Sequence, residues 1–485
     1  MYVKIVCNEG EICVDNKVLK VYNTKTREKE EFIPLIKGKV GMYVCGPTVY
    51  GFPHLGHAKS YISFDVIYRF LKYIGYDVKY VQNITDVGHL VGDSDSGESK
   101  IEKQAKLEQI DPYQVAYKYE LIYFDMMNKL NVLRPDISCR ATGHILEIID
   151  MVKTLIDKGF AYVTELGNVY FDITKYSEYG KLSNRSIDNT VSGERITVAD
   201  DKKRNEDFAL WKKADDNHLM KWPSPWGEGY PGWHIECSVM SKKYLGDTFD
   251  IHGGGMDNIF PHHDCEVAQS ECANGCEFAR YFIHNNLVTV NGQKMGKSLG
   301  NFITLPDLFE KYDPMVIRFY TLLSHYRKPT DFDDTKIEEA LKSYKGICDV
   351  VSKVRNIEGE YSLDDEIEEI KSKFLDAMYD DFNTALAISY IYEIVKIANK
   401  SDDENKLLGI KSFFENEVFN ILGLDFVSNS DKANDDDRFI EYILELRKKM
   451  RDEKRFDISD EIRDRLLELG IEIKDTREGS SFKRI

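Results

Sequence analysis

The sequence has no C-x-x-C pair among its nine cysteines, which lie scattered at 7, 13, 45, 139, 237, 265, 272, 276 and 348. In a chain of 485 residues that scatter excludes a disulfide framework and points to a reducing compartment. No run approaches the roughly 18–20 apolar residues that a membrane helix needs. The first residues also lack the basic-then-apolar order of a secretory signal. The expectation is a cytoplasmic protein with no membrane contact. Basic charge is short as well: 65 Lys and Arg face 83 Asp and Glu, a formal net charge of -18. That excludes a nonspecific nucleic-acid binder, so any RNA contact must use local basic patches. Apolar residues make up 42% of the chain, enough for a large core. At this length about three domains are expected.

Residues 40–60 carry the first pattern. Met42 and Val44 alternate with small or polar neighbours, as a strand entering a core does, and Gly46 and Pro47 stop it. After His54-Leu-Gly-His57, the residues Ile62, Val66, Phe70 and Ile74 recur four apart, which predicts a helix that stops at Gly75. Residues 77–84 read as a second strand. The unit is β-α-β and the fold class α/β, with Cys45 at the end of the first strand and two histidines at the helix start. Ligands of such sheets bind outside the carboxyl ends of the strands. A helix N-terminus favours phosphate, two imidazoles add donors, and Gly56 leaves room for a nucleotide. H-x-G-H alone also occurs by chance, and a surface or packed histidine pair is its plain alternative.

The second pattern lies at 222–238, which holds Trp222, Trp226 and Trp233, three of the chain's four tryptophans, and ends in Ile-Glu-Cys237-Ser. A strand over 248–251 is followed by His252-Gly-Gly-Gly255, Asp257 and Pro261-His-His-Asp-Cys-Glu266, which opens a helix. His262 and Glu266 share one helical face. Cys45, Cys237, His262 and Glu266 offer two thiolates, an imidazole and a carboxylate, a donor set that suits zinc. Buried cysteines are also common simply as small apolar residues, and His263, Cys265, Cys272 and Cys276 remain alternative ligands.

The third pattern is Lys294-Met-Gly-Lys297-Ser298. Gly292 to Ser298 falls one residue short of a phosphate-binding loop, since Asn291 stands where its first glycine belongs. Gly296-Lys-Ser-Leu-Gly300 matches a hydrolase nucleophile turn, with Ser298 as nucleophile, and His252-Gly-Gly-Gly resembles its oxyanion loop. The only later histidine is His325, too close to Ser298 to leave room for an intervening acid and strand. Lys294 and Lys297 are then either a solvated pair or ammonium groups that neutralise developing phosphate charge.

The rest of the chain reads as a short β segment at 1–18, a polar loop at 92–99, helices to about 130, and a further helix ending at Gly159. A hairpin at 160–182 and a polar loop at 183–206 follow, and the sheet is expected to resume at Phe208–Trp211. Residues 336–425 are helical, with ordinary bundle packing as the plain reading of their apolar stripes. Residues 427–437 read as a linker. Residues 447–455 and 474–485 carry a local basic excess, and Phe482 in the second could stack on an unpaired base.

H-x-G-H after the first strand and K-M-x-K-S after the last resemble the class I aminoacyl-tRNA synthetases. Tyr-Val-Cys45-Gly-Pro-Thr-Val-Tyr, Pro-Gly-Trp-His-Ile-Glu-Cys237-Ser, Asp250-Ile-His-Gly-Gly-Gly255 and Phe260-Pro-His-His-x-x-Glu266 resemble the cysteinyl-tRNA synthetase family. The resemblance runs from about Leu19 to Ile485. It implies one zinc ion per chain on Cys45, Cys237, His262 and Glu266, ATP phosphates on His54 and His57, and an ATP loop of Lys294, Lys297 and Ser298. Thr48, Thr85, Trp233 and Asp257 match positions of the amino-acid or adenylate pocket. Three departures stand out: Leu55 for Ile, Gly296 for Ser, and Val-Gly-His89-Leu after Asn83-Ile-Thr-Asp86, where many members carry acidic residues and a lysine.

The implied activity is ATP-dependent activation of L-cysteine, with Mg²⁺ on the ATP, and transfer to tRNA(Cys), by a monomer. The implied architecture is a Rossmann-like class I catalytic domain with an insertion, a helical bundle and a small anticodon-binding domain. Its expected bounds are 1–18 extension, 19–120 and 207–305 catalytic halves, 121–206 insertion, 306–335 tRNA stem-contact fold, 336–426 bundle, 427–437 linker and 438–485 tail. Against this stand a ligase passing cysteinyl-adenylate to another amine, and a non-catalytic paralogue that binds tRNA.

Overall fold

The computed structural model describes residues 17–91, 97–185, 201–296, 299–426, 429–476 and 479–484. Residues 1–16 of the β segment expected at 1–18 lie outside them, as do Lys297 and Ser298 of the ATP loop and parts of both polar loops.

An antiparallel hairpin, β1 (Lys20–Asn23) and β2 (Glu28–Glu31), precedes β3 (Lys39–Val44), α1 (Leu55–Tyr73) and β4 (Asp77–Ile84). Helices α2 (Lys100–Glu108) and α3 (Pro112–Lys129) lead to β5 (Ile137–Arg140) and α4 (Ile145–Asp157). Four short strands follow, β6 (Ala161–Val163), β7 (Val169–Phe171), β8 (Phe208–Lys213) and β9 (Gly229–Pro231). Then come α5 (Ile235–Leu245), β10 (Phe249–Gly255), α6 (Asp264–Asn274) and β11 (Ala279–Asn285). The central sheet is parallel throughout, in the order β11-β10-β3-β4-β5. Its order reverses at β3, so the crevice at the carboxyl ends of β3 and β10 is where a ligand of such a sheet binds.

Helix α1 explains why that crevice is fixed. His54 caps it by accepting from Gly56 N, and His57 reaches back to the His54 N–H. At the other end Gly75 adopts a φ of +95, open to glycine and strained for other residues. Ile62, Val66 and Phe70 are buried as their spacing predicts, and so is most of the rest of the helix. The sheet covers one side. The segments Pro314–Leu322 and Phe414–Leu422 cover the other. A buried ion network pins that second side. Asp65 accepts from Arg69 and from Arg318, and Arg318 also donates to the carbonyls of Leu422 and Leu130.

Three expectations change. Strand β5 joins the central sheet without a signal in the sequence, since four residues are too few to show a period. The strand Phe208–Lys213 does not resume the central sheet. It pairs with β7 and β9 in a separate antiparallel sheet, so the inserted sheet runs on to Pro231. Residues 429–437, expected as linker, begin the helix Asn429–Asp452.

After β11 a small sheet forms from β12 (Val288–Val290), β13 (Gln293–Lys294) and β14 (Thr330–Phe332), followed by four helices between Asp334 and Phe413. The helix Phe456–Glu468 leads to a terminal hairpin that pairs Ile473 with Phe482. No described helix is long and apolar enough to cross a membrane.

Candidate active site

Four elements bring one polar cluster together. Cys45 follows β3, and its N–H bonds to Gly253 O of β10 at 3.0 Å. Cys237 sits in the first turn of α5 and Glu266 in the first turn of α6. His262 lies in the wide turn Ile259–His263 before α6. The backbone of β10 must pass close by. A Cβ on Gly253 would meet the Phe64 ring at 2.4 Å, one on Gly254 the His263 ring at 2.8 Å, and one on Gly255 the Asp257 carboxylate at 2.4 Å.

The sulfurs of Cys45 and Cys237 are 3.9 Å apart. Cys237 Sγ is 3.7 Å from His262 Nε2, Cys45 Sγ is 3.7 Å from Glu266 Oε1, and His262 Nε2 is 3.0 Å from Glu266 Oε1. For zinc–sulfur bonds near 2.3 Å and zinc–nitrogen or –oxygen bonds near 2.1 Å, tetrahedral edges run from roughly 3.4 to 3.8 Å. The donor set fits zinc in kind: two spacings of 3.7 Å fall inside that range, the sulfur pair lies 0.1 Å above it, and His262 and Glu266 would part by about 0.4 Å to admit the ion. Glu266 Oε2 is buried, and its neighbour His252 Nε2 at 3.0 Å is not aligned for a hydrogen bond, a capacity a cation would use.

Burial pushes the Cys45 thiol well above its usual range, helped by Cys237 and Glu266, and it raises Cys237 too. Burial and neighbouring imidazoles hold His263 well below the usual histidine value. Burial, with His252, takes His284 down to about 3. A dication reverses the preference of such thiols and leaves neutral imidazoles ready to ligate.

Sequence reading missed part of this cluster. Cys45, His252, His263 and Glu266 form a second set whose ligand atoms all lie within 4.8 Å of one another. His252 Nε2 is 3.0 Å from Glu266 Oε2, and His263 Nε2 is 3.3 Å from Cys45 Sγ. His252 carries a signal, its place before three glycines at a strand end, but the same pattern also resembles a hydrolase loop. The three cysteines that follow His263 take no part. Cys265 faces Tyr179 Oη at 3.4 Å, Cys272 belongs to the core under the inserted sheet, and Cys276 is exposed.

A cavity of about 270 Å³ runs from this cluster to the start of α1. Cys45, Thr48, His54, His57, Asp257 and Lys294 all line it. The His54 and His57 rings stack with centroids 3.8 Å apart. Burial first, then His54, lowers His57 well below the usual value, so it is neutral at pH 7. Lys294 is exposed on β13, where its carbonyl accepts from Asn301. Thr85 and Trp233 do not line the cavity directly. Thr85 Oγ1 donates to the buried Glu236 at 3.0 Å, and the Trp233 ring stacks on His262 at 4.4 Å.

Open parallel sheet, capped histidine pair and facing lysine hairpin define a class I aminoacyl-tRNA synthetase. The family "tRNA synthetases class I (C) catalytic domain" matches residues 31–342 and "DALR domain" matches 373–427. The chain is 49% identical to the Cysteine--tRNA ligase of Chlorobaculum tepidum, over 96% of this chain and 99% of that one. It is 45% identical to the Cysteine--tRNA ligase of Bacteroides fragilis, again over 96% and 99%. Among solved structures, a Mycobacterium tuberculosis methionyl-tRNA synthetase in complex with methionyl-adenylate aligns with a TM-score of 0.55 at 16% identity, over 79% of this chain and 89% of that one. The chain belongs to the cysteine–tRNA ligase family.

Proposed function

We propose that this chain activates L-cysteine with ATP and transfers it to tRNA(Cys). The single observation behind this is the shared cavity, with a thiol-rich donor cluster at one end and phosphate-binding groups at the other. The cysteine carboxylate attacks the α-phosphorus of Mg²⁺-bound ATP, giving cysteinyl-adenylate and pyrophosphate. The 2′-hydroxyl of the terminal adenosine of tRNA then attacks the acyl carbon, and AMP leaves.

Cys45, Cys237, His262 and Glu266 would hold zinc. When bound, that zinc supplies a thiophilic partner for the substrate sulfur, which a serine hydroxyl replaces poorly. Shape alone separates the two amino acids by only about 1–3 kcal/mol. His54 and His57 are preorganised donors at a helix N-terminus, where triphosphate charge is stabilised. Lys294, with Lys297 and Ser298, neutralises charge on the departing pyrophosphate. Asp257 and Thr48 contact the amino acid or adenylate, with Thr85 and Trp233 behind them. The helical bundle and the basic segments 447–455 and 474–485 serve tRNA, which weighs against a ligase with another amine acceptor. A cytoplasmic setting follows from that reaction.

ATP–pyrophosphate exchange with each amino acid, with and without a zinc chelator, tests the reading. Exchange with cysteine alone, lost on chelation, is expected. Exchange with a different amino acid would overturn the substrate, and no exchange in a folded, zinc-loaded preparation would favour the binding paralogue.

A further inference from the structure

His89 touches Thr48 of the cavity wall and Trp233 behind it at once. It follows Gly88, whose φ is +80 and at which a Cβ would come 2.6 Å from Pro231 O. That close approach brings the buried His89 ring onto Trp233, two residues past Pro231. The centroids are 3.9 Å apart and the planes 10° from parallel. His89 Nδ1 lies 2.5 Å from Thr48 Oγ1, and its Nε2 lies 2.7 Å from Lys100 Nζ.

The chemistry of these partners fixes the protons. A lysine ammonium can only donate, so Nε2 accepts and the ring is neutral. Nδ1 then carries the hydrogen and donates to Thr48 Oγ1. With that oxygen already accepting, the Thr48 hydroxyl hydrogen turns elsewhere, and Thr48 lines the cavity beside Cys45 and His54. The other contact runs through Trp233, whose ring stacks on His262 of the donor cluster.

We infer that His89, held by Lys100, is a positioning residue of the amino-acid pocket: it makes Thr48 a donor toward an anionic oxygen of the substrate and holds Trp233 against His262. The role rests on the activity proposed above.

The test is cysteine-dependent ATP–pyrophosphate exchange with the full chain, with zinc content measured in parallel. His89→Ala is expected to raise KM for cysteine about tenfold and to leave kcat within about twofold, the signature of a lost binding contact. His89→Asn, whose amide can still donate to Thr48, should recover most of that loss. Adding Thr48→Val to His89→Ala should cost less than about twofold more, because the two residues act through one hydrogen bond. An unchanged KM in His89→Ala, or effects of the two substitutions that multiply, would overturn the role. Should His89→Ala not fold, Lys100→Met with Thr48→Val forms the same cycle with the same two outcomes. Absence of cysteine-dependent exchange in the wild type would instead overturn the activity itself, and with it this role.

Discussion

The two ends of the cavity are built in opposite ways. At one end Cys237, His262, His263 and Glu266 are buried and come from elements locked into the core. At the other, Lys294 is exposed on a two-residue strand. Selection between cysteine and serine needs donors fixed before substrate arrives, and only burial among close-packed elements holds them so. Phosphate neutralisation needs a charge that can meet a bulky, departing group, and a core position would desolvate that charge and block its exit. Helix α1 is the common platform, with His54 and His57 at the end nearest both.

Breaking the buried end should cost most. In Cys237→Ser zinc binding should weaken. The value of kcat/KM for cysteine should fall at least about a thousandfold, since even changes to residues behind metal ligands cost about 10–100-fold. The preference over serine should shrink as well. Wild-type zinc content with wild-type preference would contradict the assignment. Lys294→Met should lower kcat of exchange on the order of 10²–10³-fold while leaving zinc content and cysteine affinity intact. A loss of zinc in that variant would mean that the two ends are not separable.

The shared platform predicts stability effects. Arg318 and Asp65 are both buried, and removing the cation leaves Asp65 with Arg69 and the Leu133 N–H. Arg318→Met should destabilise the fold by about 3–5 kcal/mol in urea unfolding.

Lys59 should give the most gradual effect, spread over several units of pH. It is 1% exposed and donates to Lys328 O and Thr330 Oγ1, which ties α1 to the sheet that carries Lys294. Burial lowers its pKa from the usual 10.5 to about 7. The unfolded chain therefore binds the extra proton between those values, and the cost of burying the charge is present in full below about pH 7. Wild-type stability relative to Lys59→Met should therefore fall as pH drops from 10.5 toward 7, by roughly 1 kcal/mol per unit, and level off below about pH 7. A pH-independent difference would contradict the burial of a charged lysine.

Much of the catalytic fold was legible because it is local. Residues 77–84 alternate, α1 repeats every four residues, and Gly75 stops it. The donor cluster was only partly legible. His262 and Glu266 are one helical turn apart, but Cys45 and Cys237 join them through sheet order and the β3–β10 pairing, which no spacing rule contains. His263 was legible only as one of several alternative ligands, and His252 stayed hidden for the same reason. Strand β8 misled because a short apolar strand does not announce its partners. The sequence left the role of His89 open, because Thr48 and Trp233 meet it only through the fold.

The central claim is that the buried cluster holds zinc which meets the substrate sulfur. X-ray absorption at the zinc edge, with and without L-cysteine, tests it most directly. One zinc per chain with two sulfur neighbours, rising to three when cysteine but not serine is added, is the predicted result. No bound zinc, or a sulfur count that cysteine leaves unchanged, would contradict it.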